Sequence, residues 1–165
     1  MIFVDWRETR DEKGAEIAKY LNAVSAELPC DYLIEAGKST IAVERKTASG
    51  LLSDLASGRL FRQGRKFPPD SVKVLVIEGL IVPSSDGMAM HQTSWEMRGS
   101  TAVARFRKSG WRMSSVMGFI VFLHRMYDLV FQTADHLHTA AVLEELSRHF
   151  ARRGSEALKS PRGQL

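Results

Sequence analysis

The sequence holds a single cysteine, Cys30, so no internal disulfide can form and a reducing setting is expected. It also lacks any apolar run near the ~20 residues of a membrane span, and it opens like a strand, with no basic, signal-type region. A cytoplasmic or nucleoid-associated location, without a membrane partner, is the expectation. Acid is missing from one long stretch. Between Glu96 and Asp128 there is no Asp or Glu, while Arg98, Arg105, Arg107, Lys108, Arg112 and Arg125 lie there with Phe106 and Trp111 interleaved. Residues 1–83 carry twelve basic and twelve acidic side chains and residues 84–165 carry eleven against seven, so the second half supplies the whole net charge of +4. Such a run suits phosphate attraction and base stacking, or equally a solvated face.

What is present fits one globular domain. The chain has 165 residues, 44% hydrophobic and 25% charged, which is enough for a sizeable core and argues against disorder. Short β-rich runs alternate with helix-length segments, which predicts an α/β arrangement. Strands are expected at Ile2 to Asp5, Asp31 to Glu35, Thr40 to Arg45, Val72 to Ile77 and Leu129 to Thr133. The Val72 run is apolar almost throughout, as in a sheet covered on both faces. Helices are expected from Glu12 to Leu28, ended by Pro29; from a cap at Thr47 or Ser49 to Gly58; from Arg59 to Lys66; from Ser114 to Tyr127; and from Asp135 or Thr139 to Arg153. Residues 83–113 read as a basic loop or partly helical insertion, and residues 154–165 as a disordered tail.

Phosphodiester hydrolysis needs a metal held by oxygen ligands, an activated water and a positive group near the charge that develops on phosphorus. Asp31, Glu44 and Lys46 are spaced to supply these. A hairpin between the second and third expected strands brings Asp31 and Glu44 together, and Lys46, two residues beyond Glu44, points to the same face because strand side chains alternate. As bare spacing, Asp with Glu-x-Lys is common, and the alternative is a pair of neighbours on an exposed strand.

The surrounding residues add specificity. Val4-Asp5-Trp6-Arg7-Glu8, Cys30-Asp31-Tyr32, Val43-Glu44-Arg45-Lys46 and Gly58-Arg59-Leu60 with Gln63 occur in an order and spacing that resemble the XPF-type structure-specific nuclease domain, a branch of the PD-(D/E)XK superfamily. The resemblance is close over residues 1–80, looser over Ser114 to Arg153, and leaves the basic insertion unmatched. It implies a restriction-endonuclease-like fold, a mixed central sheet flanked by helices, over residues 1–153. It also implies that Asp31 and Glu44, with the Arg45 carbonyl, hold Mg²⁺ or Mn²⁺, that Lys46 orients the attacking water, and that Asp5 and Glu8 complete the acidic pocket, Glu8 as a second-site ligand. By the same resemblance Arg7, Arg45 and Arg59 sit near the scissile phosphate or brace the carboxylates, and Gln63 shares the Arg59 face. The family pattern has Gly where this chain has Cys30, and an Asp where it has Gly50; Asp54, one turn on, is a candidate substitute for that acid.

The function so implied is a metal-dependent DNA endonuclease acting on branched DNA in repair or recombination. Arg59, Gln63, Arg105, Arg107, Lys108 and Arg112 are the expected DNA contacts. XPF-type nuclease domains commonly pair through their C-terminal helices and strand, so the apolar excess in Met113, Met117 and Phe119 to Leu123 is read partly as core and partly as a homodimer or heterodimer face. Two other readings stay open: an inactive scaffold that binds DNA, and another PD-(D/E)XK nuclease such as a junction resolvase. Cys30 reads as a small buried residue rather than a nucleophile, and His136 and His138 as polar residues near a helix start rather than metal ligands.

Overall fold

A computed structural model describes residues 1–60 and 66–153. Gln63, the body of the expected helix from Arg59 to Lys66, and the tail from Gly154 lie outside the described residues. The chain runs β1 (Ile2–Asp5), a 3-10 turn (Glu8–Arg10), α1 (Glu12–Tyr20), β2 (Val24–Ala26), β3 (Tyr32–Ala36), β4 (Ser39–Thr47), α2 (Ala48–Ser57) and β5 (Val72–Glu78). It continues through β6 (Ile81–Pro83), β7 (Met88–Arg98), β8 (Thr101–Arg112), α3 (Met113–Leu123), β9 (Leu129–Thr133) and α4 (His136–Arg153).

Six strands form a mixed sheet in the order β2-β1-β3-β4-β5-β9. β3 is antiparallel to both β1 and β4, while β1–β2, β4–β5 and β5–β9 run parallel. Gly37, at φ +63°, makes the tight turn that pairs Ala36 with Ser39 and so sets the β3–β4 register. Alternation then sends Ala42, Leu75 and Ile77 to one face, where they pack with Leu51, Leu52, Val116, Phe119 and Leu123 of α2 and α3. Ile41, Val43, Val74 and Val76 go to the other, against Ile17 of α1 and Ala140, Leu143, Leu146 and Phe150 of α4. Each such buried aliphatic side chain contributes roughly 1.5–3 kcal/mol, so two covered faces make the central strands the stable frame on which polar groups can be held.

Two segments differ from the expectation. The helix begun at Glu12 stops at Tyr20, because Asn22 takes a left-handed conformation (φ 49°) and Val24–Ala26 pairs in parallel with Phe3–Asp5. The basic stretch is neither loop nor helix. It is the antiparallel sheet β6-β7-β8, whose long hairpin turns at Gly99-Ser100, with Gly99 at φ +63°. A Gly-Ser pair between two extended runs is a hairpin signal, but most of β7 and β8 is exposed or half-buried, so the hydrophobic alternation that marks a strand is missing. Ala89 and Ile81 tie this sheet into the core beside α2 and α3.

Candidate active site

The site is built at the end of β4, where antiparallel pairing on one side and parallel pairing on the other converge. The β3–β4 register pairs Tyr32 with Val43, and one step beyond it Asp31 lies across from Glu44. Asp31 is gripped by its backbone: its N–H donates to the Val43 carbonyl at 3.0 Å, and its carbonyl accepts from the Asp5 N–H at 2.9 Å. Its Oδ2 accepts from the Arg45 N–H at 2.7 Å. Glu44 is buried, and Lys46, on the same face, places Nζ 2.8 Å from Glu44 Oε1 and 3.8 Å from Oδ2 of the buried Asp54 on α2. Asp31, Glu44 and Lys46 are thus brought together, and Asp54 joins them.

Burial, with the charges of Glu44 and Glu8 added to it, holds Asp31 well above the usual carboxylate range. Burial raises Glu44 too, against the pull of Lys46. Two carboxylates crowded in this way repel each other, and a divalent cation relieves that repulsion. Glu44 Oε1 and Asp54 Oδ2 are buried with no aligned hydrogen-bond partner among the described residues. Hard oxygen donors left in that state fit a hard divalent ion that keeps part of its water shell. Among the described residues no group of three or more His, Cys, Asp or Glu side chains stands in a metal-holding arrangement, so the fit rests on the paired carboxylates.

The other expected site residues divide between faces and tasks. Arg45 points away from Glu44 and is buried in a forked ion pair with Glu78, Nε to Oε2 at 2.8 Å and Nη2 to Oε1 at 3.0 Å. Its Nη1 reaches Glu8 Oε2 at 3.0 Å and Asp11 Oδ2 at 3.5 Å. Glu8 therefore serves Arg45. Asp5 accepts from the Arg7 Nε and N–H, at 2.6 and 2.9 Å, and from the Leu28 N–H at 2.8 Å, which ties β1 to the segment leading into Asp31. The Arg7 guanidinium beside it holds Asp5 down at a pKa of about 2. Arg59 and Arg112 are exposed, as are Arg105, Arg107 and Lys108 on β8. Arg105 and Lys108 are ion-paired with Glu96 and Asp86: antiparallel pairing restores the acid that the local sequence lacks.

Gly50 donates its N–H to the Thr47 Oγ1 that caps α2, at 3.0 Å. Cys30 is buried, its Sγ donating to the Tyr32 carbonyl at 3.2 Å, and burial, with the Asp31 charge, pushes its thiol up to about 12, which leaves it protonated and unreactive. His136 pairs with Glu16, and His138 accepts from the Ala134 N–H at the start of α4. Sequence reasoning missed Tyr127. This fully buried phenol is edge-on to Phe67, its hydroxyl has no hydrogen-bond partner among the described residues, and burial with the charges of Glu44, Asp31 and Asp54 raises its pKa. It closes an apolar run that reads as core, so nothing in the sequence marks it. Glu78 was missed too.

Neither a protein-family model nor a curated protein matches the sequence. Solved structures match the fold, two of XPF among them. XPF from Aeropyrum pernix in complex with DNA is 25% identical with a TM-score of 0.61, over 90% of this chain and 63% of that one. A second structure of XPF from the same organism is 25% identical with a TM-score of 0.58, over 95% and 68%. The chain carries an XPF-type nuclease fold. It spans less than two thirds of the length of the DNA-complexed neighbour. Within this XPF-type fold no described helix is long and apolar enough to cross a membrane.

Proposed function

We propose that the protein is a divalent-metal-dependent endonuclease that cuts DNA at branched sites such as flaps, forks and splayed arms. The observation that carries this reading is the meeting of Asp31, Glu44 and Lys46 at one sheet end in an XPF-type fold. Asp31 and Glu44, with the Arg45 carbonyl, would hold Mg²⁺ or Mn²⁺. Such an ion, when bound, supplies Lewis acidity and a water of lowered pKa. Lys46 orients the attacking water with its ammonium and offsets the negative charge that grows on the phosphoryl oxygens. Asp54 fixes the lysine from α2, and Tyr127 closes the site to bulk water. Asp5 and Arg7 act as positioning residues, because they hold the segment that presents Asp31. The chain would bring the substrate to this site with Arg59, Arg107 and Arg112, and would pair with a second copy through its C-terminal helices and β9.

The test is a cleavage panel: labelled flap, fork, splayed-arm, four-way-junction and linear duplex DNA, each with and without Mg²⁺ and Mn²⁺. Metal-dependent nicking of the branched substrates is expected, and Asp31→Ala or Lys46→Ala should lower it by at least ~10²-fold with the fold intact. Retained cleavage by the folded variants overturns the assignment. Equal cutting of linear duplex overturns the branch selectivity alone.

A further inference from the structure

A second concavity lies on the far side of Thr47 from the carboxylates. The hairpin β7–β8 leans over the C-terminal ends of the parallel strands β4 and β5 and the start of α4, and encloses a cleft of about 740 Å³. That end of an open α/β sheet is where ligands commonly bind. A regular strand would show such a cleft every second side chain, but all five residues from His91 to Trp95 line it. The cause is a β-bulge. The β7–β8 register jumps between Gln92 and Ser94, which leaves Thr93 as an extra residue and bends the strand. The wall is anchored, since the Gln92 N–H donates to the Leu80 carbonyl at 2.8 Å and its Oε1 accepts from the Leu80 N–H at 3.1 Å.

The chemistry of the walls selects the occupant. Arg107 projects from β8 into the cleft, and unlike Arg105 and Lys108 it has no carboxylate within ion-pair distance among the described residues. Lys13 reaches in from α1, 4.0 Å from Glu78 Oε1 and more than half exposed. The two acids of the lining are engaged elsewhere: Arg45 holds Glu78 on both oxygens, and Asp135 accepts from the His138 N–H at 2.8 Å. Arg107 is therefore the cation of the lining that no carboxylate offsets among the described residues. Trp95 presents an apolar ring that is 42% exposed, and His91 Nδ1 is buried with no hydrogen-bond partner among the described residues.

The unpaired Arg107 guanidinium, the half-exposed Lys13 ammonium and the exposed Trp95 indole match an unstacked nucleotide, whose phosphate needs a cation and whose base face needs an aromatic ring. A duplex keeps its base faces inside its own stack and cannot offer them to Trp95. Deepening the nuclease reading, on which it rests, we propose that this cleft binds an unpaired nucleic-acid strand, with a base against Trp95 and the adjoining phosphates on Arg107 and Lys13. The cleft adjoins the β4 end that carries Lys46, so a strand held there leaves a duplex arm free to approach Asp31 and Glu44. Recognition of a junction would then come from the hairpin.

Binding can be read without cleavage, by fluorescence anisotropy in EDTA with dye-labelled oligo-dU, oligo-rU and a blunt duplex of equal length. The parent protein should bind the single strands, and Trp95→Ala should weaken that binding about 10-fold or more, since a base–aromatic stack contributes about 1–3 kcal/mol. Arg107→Ala should reduce the salt slope of single-strand binding by about 0.7, and Arg105→Ala should leave it nearly unchanged. Trp95→Leu keeps the bulk and loses the π face, so it stands in if the alanine variant does not fold. Weakened binding of either oligonucleotide supports the site, and the tighter of the two identifies the sugar. Single-strand binding that the folded Trp95 and Arg107 variants retain in full, or an equal loss on the duplex, overturns it. A protein that cuts nothing but loses single-strand binding on Trp95 substitution would refute the nuclease reading and leave the cleft standing.

Discussion

Arg45 is buried at the meeting point of three carboxylates, Glu78, Glu8 and Asp11, whose charges it offsets near the sheet end. Arg45→Met should destabilise the protein by about 3–5 kcal/mol, because it strands the buried Glu78 charge. The urea midpoint reads this, and Arg45→Met with Glu78→Leu should recover part of the loss; a single variant as stable as the parent would remove Arg45 from the frame. Asp5 gives a pH dependence with a definite sign. Its folded pKa of about 2 lies below the ordinary aspartate value of 3.8, so its stabilisation is present above pH ~4 and is lost as pH falls toward ~2. Arg7, its partner, is 62% exposed, so solvent screening keeps the effect small. In acid titrations of unfolding, Asp5→Asn should flatten the slope in that window. Glu44 and Lys46 could be placed from the sequence because strand alternation has period two, and Asp31 because a short hairpin is a local object. Glu78 could not, since the parallel neighbour of β4 begins more than twenty residues later and the pairing of Thr47 with Glu78 is a tertiary fact.

At the scale of elements, the strands and helices with a covered apolar face were legible and those without one were not. β1, β3, β4, β5 and β9 all fall where their apolar runs are, because each packs on at least one of the two core faces. β2 is three residues at the sheet edge, with Val24 and Ser25 exposed, so its few apolar residues continue the helical period of α1 and hide the break at Asn22. The hairpin β7–β8 was misread for the same physical reason, since its pairing is satisfied by backbone hydrogen bonds rather than by burial. The junction of the 3-10 turn with α1 is another local device. Asp11 caps α1 through the Gly14 N–H, and the backbone of Glu8 runs so close to Gly14 that a Cβ there would collide with the Glu8 carbonyl. Gly14→Ala should cost about 1–3 kcal/mol by overpacking and should loosen Glu8 from Arg45. Thermal unfolding checks the first effect. A variant that melts with the parent would show that the turn shifts freely and that Glu8 is not held by it.

In the whole molecule, the two sheet faces carry different charge clusters. The face toward α1 and α4 carries Arg45 and its acids, a charge cluster that is closed and fully used. The face toward α2 and α3 carries Asp31, Glu44, Asp54 and Lys46, three carboxylates to one ammonium. The hairpin adds the cationic wall, so substrate and metal would enter from regions of opposite charge. One surface stays unexplained by this division. On α3, Val116, Phe119 and Leu123 face the core, while Met117, Val121 and Phe122 are exposed, and the helix carries no charged residue. β9 closes the sheet with an edge that is unpaired among the described residues, and Leu129, Phe131, Val142, Leu146 and Phe150 line an apolar groove of about 330 Å³ along α4. A monomer seldom leaves an uncharged helix face, an open edge and an apolar groove uncovered. With the pairing proposed above, light scattering behind size exclusion should give a dimer for the parent. Val121 is 66% exposed, so Val121→Glu should leave the melting of the isolated subunit within about 0.5 kcal/mol while placing two carboxylates in the contact. A shift to the monomer mass on that single change assigns α3 to the interface. A dimer that persists moves the contact to the β9–α4 groove, where Glu145 and His149 flank the apolar floor and a charge reversal at Glu145 is the next change to make. A parent that is monomeric at micromolar concentration rules out the homodimer and leaves this face to a different subunit.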